Sequence, residues 1–165
     1  MSKIQRAPIK LDKVDLELLA HLQQDGRRSL TELGEKLGVS HGTVRNRFQK
    51  LVTHGIAKVV AIVDPKVVGF PVQVLIGINA DLRHMESIEK QLAGFEETTF
   101  VLTLTGRLDF IVGAVFSSPG ELRRFLVKKL SRVEGIRRTE TFHVLDFGKR
   151  IWHWHVGVQA GRPHT

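Results

Sequence analysis

The sequence predicts an α+β protein with two domains, because two different patterns of elements follow one another along the chain. Residues 11–55 are predicted to form three short helices whose ends carry capping residues and glycines. Residues 72–147 show the order strand, helix, strand, strand, helix, strand. We therefore expect domains at 1–63 and 72–148, a linker with two prolines and a glycine at 64–71, and a C-terminal extension at 149–165.

The composition excludes several classes of protein. The 165 residues are 42% hydrophobic and include no cysteine, which removes disulfide frameworks, thiolate nucleophiles and cysteine-based metal sites. No apolar run approaches the roughly 20 residues that span a bilayer, and Met1–Lys10 lacks the apolar core of a secretion signal. The composition therefore predicts a soluble, cytoplasmic protein.

The formal net charge of +8 is unevenly distributed. Residues 1–63 carry 11 lysines and arginines against six acidic residues, and no acidic residue lies between Glu35 and Asp64. A stretch of one charge sign attracts a polyanion, of which duplex DNA is the commonest inside cells. A basic run is also typical of a solvated face, so the charge alone leaves both interpretations open.

Capping residues mark three helices in the first domain. Asp12 predicts the start of the first helix, and Ser29 with Glu32 has the pattern of a capping box at the start of the second. The second helix is expected to end at Gly38, and Ser40 to cap the third. Two helices joined by a short turn with a glycine are typical of a helix-turn-helix motif.

The third helix has the two faces that a DNA-recognition helix requires. At 100° per residue its apolar side chains share one side, and these are Val44, Phe48, Leu51 and Val52. Asn46 and Gln49 lie opposite, where an amide can pair with adenine. Arg45 and Arg47 flank them, where a guanidinium can reach phosphates. An ordinary amphipathic surface helix is the alternative. The predicted DNA contacts are Ser40, His41, Gly42, Thr43, Arg45, Asn46, Arg47, Gln49 and Lys50.

The remaining elements complete a winged helix-turn-helix followed by a ferredoxin-like βαββαβ domain. A β-branched run at 56–63 predicts the strand of the wing. In the second domain, Met85, Ile88 and Leu92 mark one helix, and a capping-box pattern at Ser118 opens the other. The strands of this domain are predicted at 72–80, 100–105, 109–116 and 136–147.

Two of these strands predict an oligomer. Residues 72–78 and 110–116 are apolar on both faces, although two helices on one side of the sheet cover only one face. The other face is therefore expected to pack on a partner's sheet in an obligate homodimer. A two-fold dimer presents two recognition helices and matches a roughly palindromic DNA site.

A set of motifs runs from about residue 9 to residue 148. They are Leu11-Asp12-x-x-Asp15-x-x-Leu18-Leu19, Asp25-Gly26-Arg27, Leu33-Gly34-x-x-Leu37-Gly38-Val39-Ser40, Thr43-Val44-Arg45-x-Arg47, Leu51-x-x-x-Gly55-Ile56 and Asp64-Pro65-x-x-x-Gly69. Together they resemble the Lrp/AsnC family of regulators. The resemblance implies a winged helix-turn-helix and an α/β ligand-sensing domain, assembled as dimers and often as tetramers or octamers. It also implies effectors, usually amino acids, that bind where dimers meet.

The resemblance implies an effector site as well. The family's Gly-x-x-Asp turn matches residues 106–109, and small polar residues of the last strand face the ligand. The implied effector contacts are Thr105, Gly106, Arg107, Leu108, Asp109, Thr139 and Thr141. Arg107 stands where the family commonly has an acid, which favours a carboxylate or another small anion over an ammonium group. A plain β-turn without a ligand is the alternative.

Two further features are compatible with more than one interpretation. Trp152 and Trp154 alternate with His153 and His155, which predicts an added edge strand or dimer contact; a histidine metal site with His143 is the alternative, and we predict no metal. Five basic residues at 123–132 form either a solvated face or, if DNA wraps around a larger assembly, a phosphate contact.

The sequence as a whole predicts a sequence-specific, nucleoid-associated transcriptional regulator that binds double-stranded DNA and needs no cofactor. A DNA-binding architectural protein of low specificity is the alternative. Proteins with this two-domain layout also include enzymes, but no cluster of acid, base or nucleophile supports catalysis here. We therefore expect no enzymatic activity.

Overall fold

The structure, a computed structural model, describes residues 10–149. The chain divides into two compact units, with the boundary between residues 61 and 62. The predicted edge strand and metal site in the C-terminal extension lie outside the described residues. No helix of the described chain is long and apolar enough to cross a membrane.

The first unit is a bundle of three helices, α1 (Lys13–Gln24), α2 (Leu30–Leu37) and α3 (His41–Thr53). Each helix sends leucine or valine side chains into one small core, in which the fully buried residues are Leu18, Leu33, Val44 and Leu51. The turn between α2 and α3 passes through Gly38, whose φ of +65° is the left-handed conformation that glycine adopts without strain. This confirms the predicted helix-turn-helix.

The helix caps differ in detail from the prediction. A full capping box forms at α1, where Asp12 and Asp15 each accept a hydrogen bond from the other's backbone N–H. At α2 only the serine half forms: Ser29 Oγ accepts from Glu32 N at 3.1 Å. The Glu32 carboxylate instead pairs with Arg28 and Lys36, so the predicted reciprocal bond is missing there. In the second unit, Ser118 caps its helix in the same one-sided way.

The predicted wing strand does not form, and no strand lies between Thr53 and Val72. The backbone N–H groups of Ile56 and Ala57 both donate to the carbonyl of Leu51, at 2.8 and 3.2 Å, which ends α3 in a tight turn. Beyond this turn the apolar side chains of the 56–63 run are about half exposed. A strand requires a hydrogen-bonding neighbour, and no described segment pairs with this run.

The second unit has the predicted βαββαβ order and one four-stranded sheet, in which every neighbouring pair of strands is antiparallel. The elements are β1 (Val72–Ala80), α4 (Met85–Gly94), β2 (Thr98–Thr103), β3 (Phe110–Phe116), α5 (Pro119–Lys128) and β4 (Ile136–His143). The strand order across the sheet is β2-β3-β1-β4. Short 3-10 turns at Leu82–His84 and Leu130–Arg132 precede α4 and follow α5.

Strand β4 is shorter than the predicted 136–147 because β1, the strand with which it pairs, begins at Val72. It pairs only with β1, and His143 lies opposite Val74, two residues from the start of β1. One more backbone bond follows, from Val144 N to Gln73 O at 2.8 Å. Strand β2 likewise begins at Thr98 and not at residue 100, with a register shift before Phe100.

The two faces of the sheet have different surroundings. On one face, alternate residues of β1 and β3 such as Ile76, Ile78 and Phe110 are fully buried against α4 and α5. On the other face, apolar side chains remain uncovered in the single chain: Leu75, Phe100, Leu102 and Phe142 are 37–50% exposed. We call this second surface the open face of the sheet. The predicted apolar character of both faces is confirmed.

Candidate nucleic-acid interface and ligand loop

Helix α3 presents a polar face on the side opposite its buried residues. Val44 and Leu51 are fully buried in the first unit, whereas Arg45, Asn46, Gln49 and Lys50 are exposed. The arrangement follows from the helical repeat, because residues near 180° from a buried position face solvent. Val52 departs from the prediction, since 38% of it is exposed.

The start of α3 combines a hydroxyl pair with an open glycine. Ser40 Oγ accepts a hydrogen bond from Thr43 N at 3.1 Å and lies 2.9 Å from Thr43 Oγ1. Both hydroxyls are therefore engaged in the cap. His41 and Gly42 are exposed, and a Cβ on Gly42 would meet nothing closer than Ser40 Oγ at 3.9 Å. The N-terminal end of α3 therefore has a flat, unobstructed surface. In helix-turn-helix motifs this end of the recognition helix contacts the base edges.

Arg47 is held by the protein itself. Its Nη1 donates to Asp12 Oδ2 at 2.6 Å and to Asp15 Oδ1 at 2.8 Å, and the Asp15 side chain is only 3% exposed. The N–H of Asp15 and then the Arg47 guanidinium hold the pKa of Asp12 below its ordinary value, and the two carboxylates raise the pKa of Arg47. This geometry opposes the predicted phosphate contact of Arg47, because its guanidinium is already paired with two carboxylates.

The sequence contained a signal for this ion pair that the prediction did not use. Asp12 predicts the cap of α1, and Asp15 follows three residues later, although a single carboxylate is enough to cap a helix. A second carboxylate, buried beside the first, requires a cation. Arg45 and Lys50, by contrast, form no ion pair with any residue among 10–149, and both remain available to an outside anion.

The predicted ligand loop is anchored to β1. Asp109 accepts a hydrogen bond from Ala80 N through Oδ2 at 2.8 Å, and its own N–H donates to Ile78 O at 2.9 Å. Asn79 Nδ2 donates to the Arg107 carbonyl at 2.6 Å. The Asp109 carboxylate therefore shapes the loop, while the side chains of Thr105 and Arg107 remain exposed.

The backbone of this loop depends on two glycines. Gly106 has a φ of +129°, a conformation that side-chain-bearing residues avoid. Gly77 of β1 leaves room for Leu108, because a Cβ there would lie 2.9 Å from Leu108 Cδ1. Gly77 points to the open face of the sheet, so Leu108 covers part of that face.

The other half of the predicted effector site lies on the opposite side of the sheet. Thr139 and Thr141 pair with Ile78 and Ile76, whose side chains face the helices. Both threonines are exposed, and Thr139 lines a cavity of about 220 Å³ between α5 and β4. No residue of the 105–109 loop lines this cavity. A single chain therefore does not bring the two halves of the predicted site together.

The described residues contain no group of three histidine, aspartate or glutamate side chains that could hold a metal ion. His143 lies at the end of β4. Its proposed metal-binding companions, His153 and His155, lie outside the described residues.

A three-helix DNA-binding motif joined to a small α/β domain is the layout of a ligand-responsive DNA-binding regulator, and comparison with known proteins agrees with this class. Residues 11–52 match the model of the AsnC-type helix-turn-helix domain, and residues 73–150 match that of the Lrp/AsnC ligand binding domain. The chain belongs to the Lrp/AsnC family of transcriptional regulators, and the families and relatives that it matches are regulators and not enzymes.

The similarity to curated relatives extends over both domains of the chain. An HTH-type transcriptional regulator of Pyrococcus horikoshii is 32% identical over 81% of this chain and 85% of its own. The regulator Ptr1 of Methanocaldococcus jannaschii is 31% identical over 86% of this chain and 98% of its own.

Solved structures have the same fold. E. coli AsnC superposes with a TM-score of 0.77 at 28% identity, covering 86% of this chain and 97% of its own. A transcriptional regulator of Neisseria meningitidis in complex with L-Met superposes with a TM-score of 0.80 at 24% identity, covering 89% and 97% of the two chains.

Proposed function

We propose that the regulator recognises a specific DNA sequence with the exposed face of α3. Asn46 and Gln49 read base edges in the major groove, and Arg45 and Lys50 hold the phosphates beside it. The observation that carries this proposal is the coincidence of free cations and exposed amides on one face, opposite Val44 and Leu51. Gln49 Nε2 donates to Thr53 Oγ1 over 3.3 Å, and this long, weak hydrogen bond can be replaced by one to a base.

The start of α3 has a supporting role in this proposal. His41 and Gly42 lie on the surface that approaches the duplex, and Gly42 keeps that surface flat. Ser40 and Thr43 complete the helix cap, in which the N–H of Thr43 donates to Ser40 Oγ, and the N–H groups of His41 and Gly42 are left to face a phosphate. Arg47 orients the helix through Asp15 and makes no phosphate contact.

The test compares Asn46→Ala with Arg45→Ala on duplexes recovered by selection from a random library. Asn46→Ala should relax the preference at one base position, with a loss on the order of 1–3 kcal/mol for the preferred base. Arg45→Ala should weaken binding to all sequences alike and reduce the slope of log K against log salt by about 0.9. Arg27→Ala, an exposed arginine before α2, is the matched control and should change neither.

Two outcomes would contradict this assignment of roles. If the selection recovers no preferred sequence, the protein binds DNA without sequence preference, as an architectural protein does. If Asn46→Ala weakens all duplexes uniformly while Arg45→Ala alters the preferred sequence, the roles of the two residues are reversed.

We further propose that the regulator acts as a homodimer joined through the open face of its sheet. Leu75, Phe100, Leu102 and Phe142 expose a contiguous apolar surface that the single chain leaves in water. A two-fold axis through this face presents two copies of α3 to a palindromic site, with half-sites one turn of DNA or a multiple apart. Binding to such sites would place the protein on the nucleoid.

The effector in this proposal is an amino acid or another small anion bound between chains. The exposed Arg107 supplies a cation, whereas Thr139 and Thr141 lie on the other side of the same sheet. Two halves that are separated in one chain can meet when chains of neighbouring dimers come together, which favours a tetramer or octamer. The Neisseria meningitidis neighbour, solved with L-Met, makes L-methionine one of the probes.

Thermal-shift screening with the twenty amino acids tests the effector. At least one should raise the melting temperature of the wild type, and Arg107→Ala should abolish the shift because the carboxylate loses its cation. Lys66→Ala, an exposed cation in the same unit, should leave the shift intact. If no amino acid shifts the wild type, or if Arg107→Ala responds fully, the proposed effector contact is wrong.

A further inference from the structure

Helix α5 and the 3-10 turn after it carry a concentrated positive charge within a neutral unit. The unit that spans residues 62–148 has 11 basic and 11 acidic residues. Five of the basic residues and none of the acidic ones fall within 123–132. Because the charges of the unit cancel overall, the positive potential is confined to this segment and is not spread over the whole unit.

Three of the five cations have no partner among the described residues. Arg124 pairs with Glu121, and Lys129 Nζ donates to Glu97 Oε1 at 2.6 Å. The exposed residues that form no ion pair within 10–149 are Arg123, Lys128 and Arg132. Val127, between them on the helix, is 61% exposed, so no other element of the unit covers this surface.

We propose that this surface, the α5 basic face formed by Arg123, Lys128 and Arg132, binds the phosphate backbone of duplex DNA beyond the sequence that α3 reads. The inference rests on DNA binding by the chain and not on how α3 recognises bases. Unpaired cations on a rigid helix release condensed counterions when they meet a phosphate backbone, which favours binding without regard to sequence.

An acidic surface on a second copy of the chain fits the α5 basic face less well than DNA does. The acidic residues of the unit are scattered along the sequence from Asp64 to Asp146. On α4, Glu86 and Glu89 are offset by Lys90. Moreover, Glu89 already accepts a hydrogen bond from Thr103 Oγ1 at 3.3 Å. Of the two, only DNA supplies a continuous row of negative charges.

The experiment compares two duplexes that carry the same selected site. One ends at the limits of the site, and the other extends several helical turns beyond it on both sides. Arg123→Gln/Lys128→Gln should reduce the slope of log K against log salt on the long duplex by about 0.9 per lost phosphate contact, about 1.8 per chain. Binding to the short duplex should not change.

A matched control removes the same charge from the same unit. Lys66→Gln/Lys90→Gln replaces two exposed lysines outside the α5 basic face, and it should leave the salt slope unchanged on both duplexes. The proposal is overturned if the α5 variant behaves like this control on the long duplex. It is also overturned if light scattering shows that the α5 variant has a smaller assembly mass than the wild type, since the surface would then contact protein.

The short duplex keeps this result separate from the proposed role of α3. If Asn46→Ala fails to relax base preference, the role proposed for α3 is wrong, whereas the effect of the α5 variant on the long duplex is unaffected. If instead the two duplexes bind the α5 variant and the wild type equally, base recognition by α3 still stands.

Discussion

At the scale of single residues, Arg47 shows how a basic residue on a recognition helix can be part of the fold. Its two short contacts join α3 to the capping box of α1, and one of its carboxylate partners is nearly inaccessible to water. A carboxylate in such a position is costly to leave unpaired. The ion pair therefore fixes the position of α3 on the rest of the unit, which sets how its exposed residues are presented.

Arg47→Met should accordingly destabilise the protein, because it leaves the Asp15 carboxylate buried without its cation. We expect a loss on the order of 2–3 kcal/mol in the free energy of unfolding, less than for a fully buried pair since Arg47 is 28% exposed. Arg45→Met, on the same helix, should stay within about 0.5 kcal/mol. Denaturant unfolding of both variants measures the difference.

The salt dependence of DNA binding shows whether Arg47 stays paired with its carboxylates in the complex. Under conditions where both variants are folded, Arg45→Met should lower the salt slope and Arg47→Met should not. Equal reductions would mean that Arg47 leaves its carboxylates and contacts phosphate in the complex.

Asp12 predicts a dependence of stability on pH. Its pKa in the folded protein is held below the ordinary value of 3.8, first by the N–H of Asp15 and then by Arg47. A carboxyl with a lowered folded pKa contributes stability that is fully present above its unfolded pKa and is lost as the pH falls through the folded pKa. The melting temperature of Asp12→Asn should therefore lie below that of the wild type at neutral pH, and the gap should close below pH 3.8.

Melting curves from neutral to acidic pH measure this gap. Glu35→Gln removes one exposed carboxylate of α2 without touching Arg47 and is the matched control. A gap between Asp12→Asn and the wild type that stays constant through the acidic range would show that the carboxylate charge of Asp12 is not what stabilises α1.

At the scale of elements, two glycines in the helix-turn-helix have opposite reasons for being small. A Cβ on Gly34 of α2 would lie 2.8 Å from the carbonyl oxygen of Val39, which is backbone and cannot move aside. A Cβ on Gly42 of α3 would point into open space. Gly34 is thus required by the close packing of the turn, whereas nothing in the fold requires Gly42.

Alanine at the two positions should separate folding from DNA binding. Gly34→Ala should destabilise by about 1–3 kcal/mol through the clash with the turn. Gly42→Ala should stabilise by up to about 1 kcal/mol, since alanine favours a helix, and yet weaken DNA binding because a methyl group stands on the face that approaches the duplex. Unfolding and binding measurements on the same preparations test both. Unchanged affinity for Gly42→Ala would show that this surface lies away from DNA.

Helices and strands whose ends and faces are marked by nearby residues could be predicted from the sequence. The three helices and the βαββαβ order follow from caps, glycine stops and apolar periodicity, and the structure confirms them. The prediction of a wing strand at 56–63 was wrong. A β-branched run favours an extended backbone, but it does not supply the neighbouring strand that pairing requires. The end of β4 was misplaced for a similar reason, since the start of β1 determines where pairing stops.

The candidate site was predictable to a similar extent. Helical phase correctly placed Asn46 and Gln49 opposite the core, because phase depends only on sequence spacing. The partner of Arg47 depends on how α1 packs against α3, which spacing does not encode. The separation of the ligand loop from Thr139 depends on the face of the sheet that each reaches, and this became visible only from the strand register.

At the scale of the whole molecule, the proposed dimer depends on the open face of the sheet. Glycine at 113 lets the ring of Phe100 lie flat on the sheet, because a Cβ there would approach Phe100 Cε1 to 2.2 Å. With Leu75, Leu102 and Phe142 around it, the ring forms an even apolar surface suited to the same surface of a second chain.

Leu102→Glu should disrupt this association by placing a charge in the proposed interface. The mass measured by light scattering should fall towards the 18.6 kDa of one chain. Binding to a palindromic duplex should drop to the affinity for a single half-site, since the two copies of α3 are no longer joined. Leu82→Glu, at a position 78% exposed and off the sheet, is the control and should change neither value. A wild-type mass after Leu102→Glu would place the interface elsewhere.

The order of strands across the sheet has a consequence for how the chain folds as it is synthesised. The helices of the first unit contact one another within a short sequence span, so that unit can fold as soon as it leaves the ribosome. Strand β1 is made next, but its neighbours are β3 and β4, and the last of these is complete only at His143. Until then a strand that is apolar on both faces has at least one unpaired edge, the condition that leads nascent chains to aggregate. Slower translation beyond Ala80 should therefore lower the yield of folded protein, whereas the same delay within α2 should not.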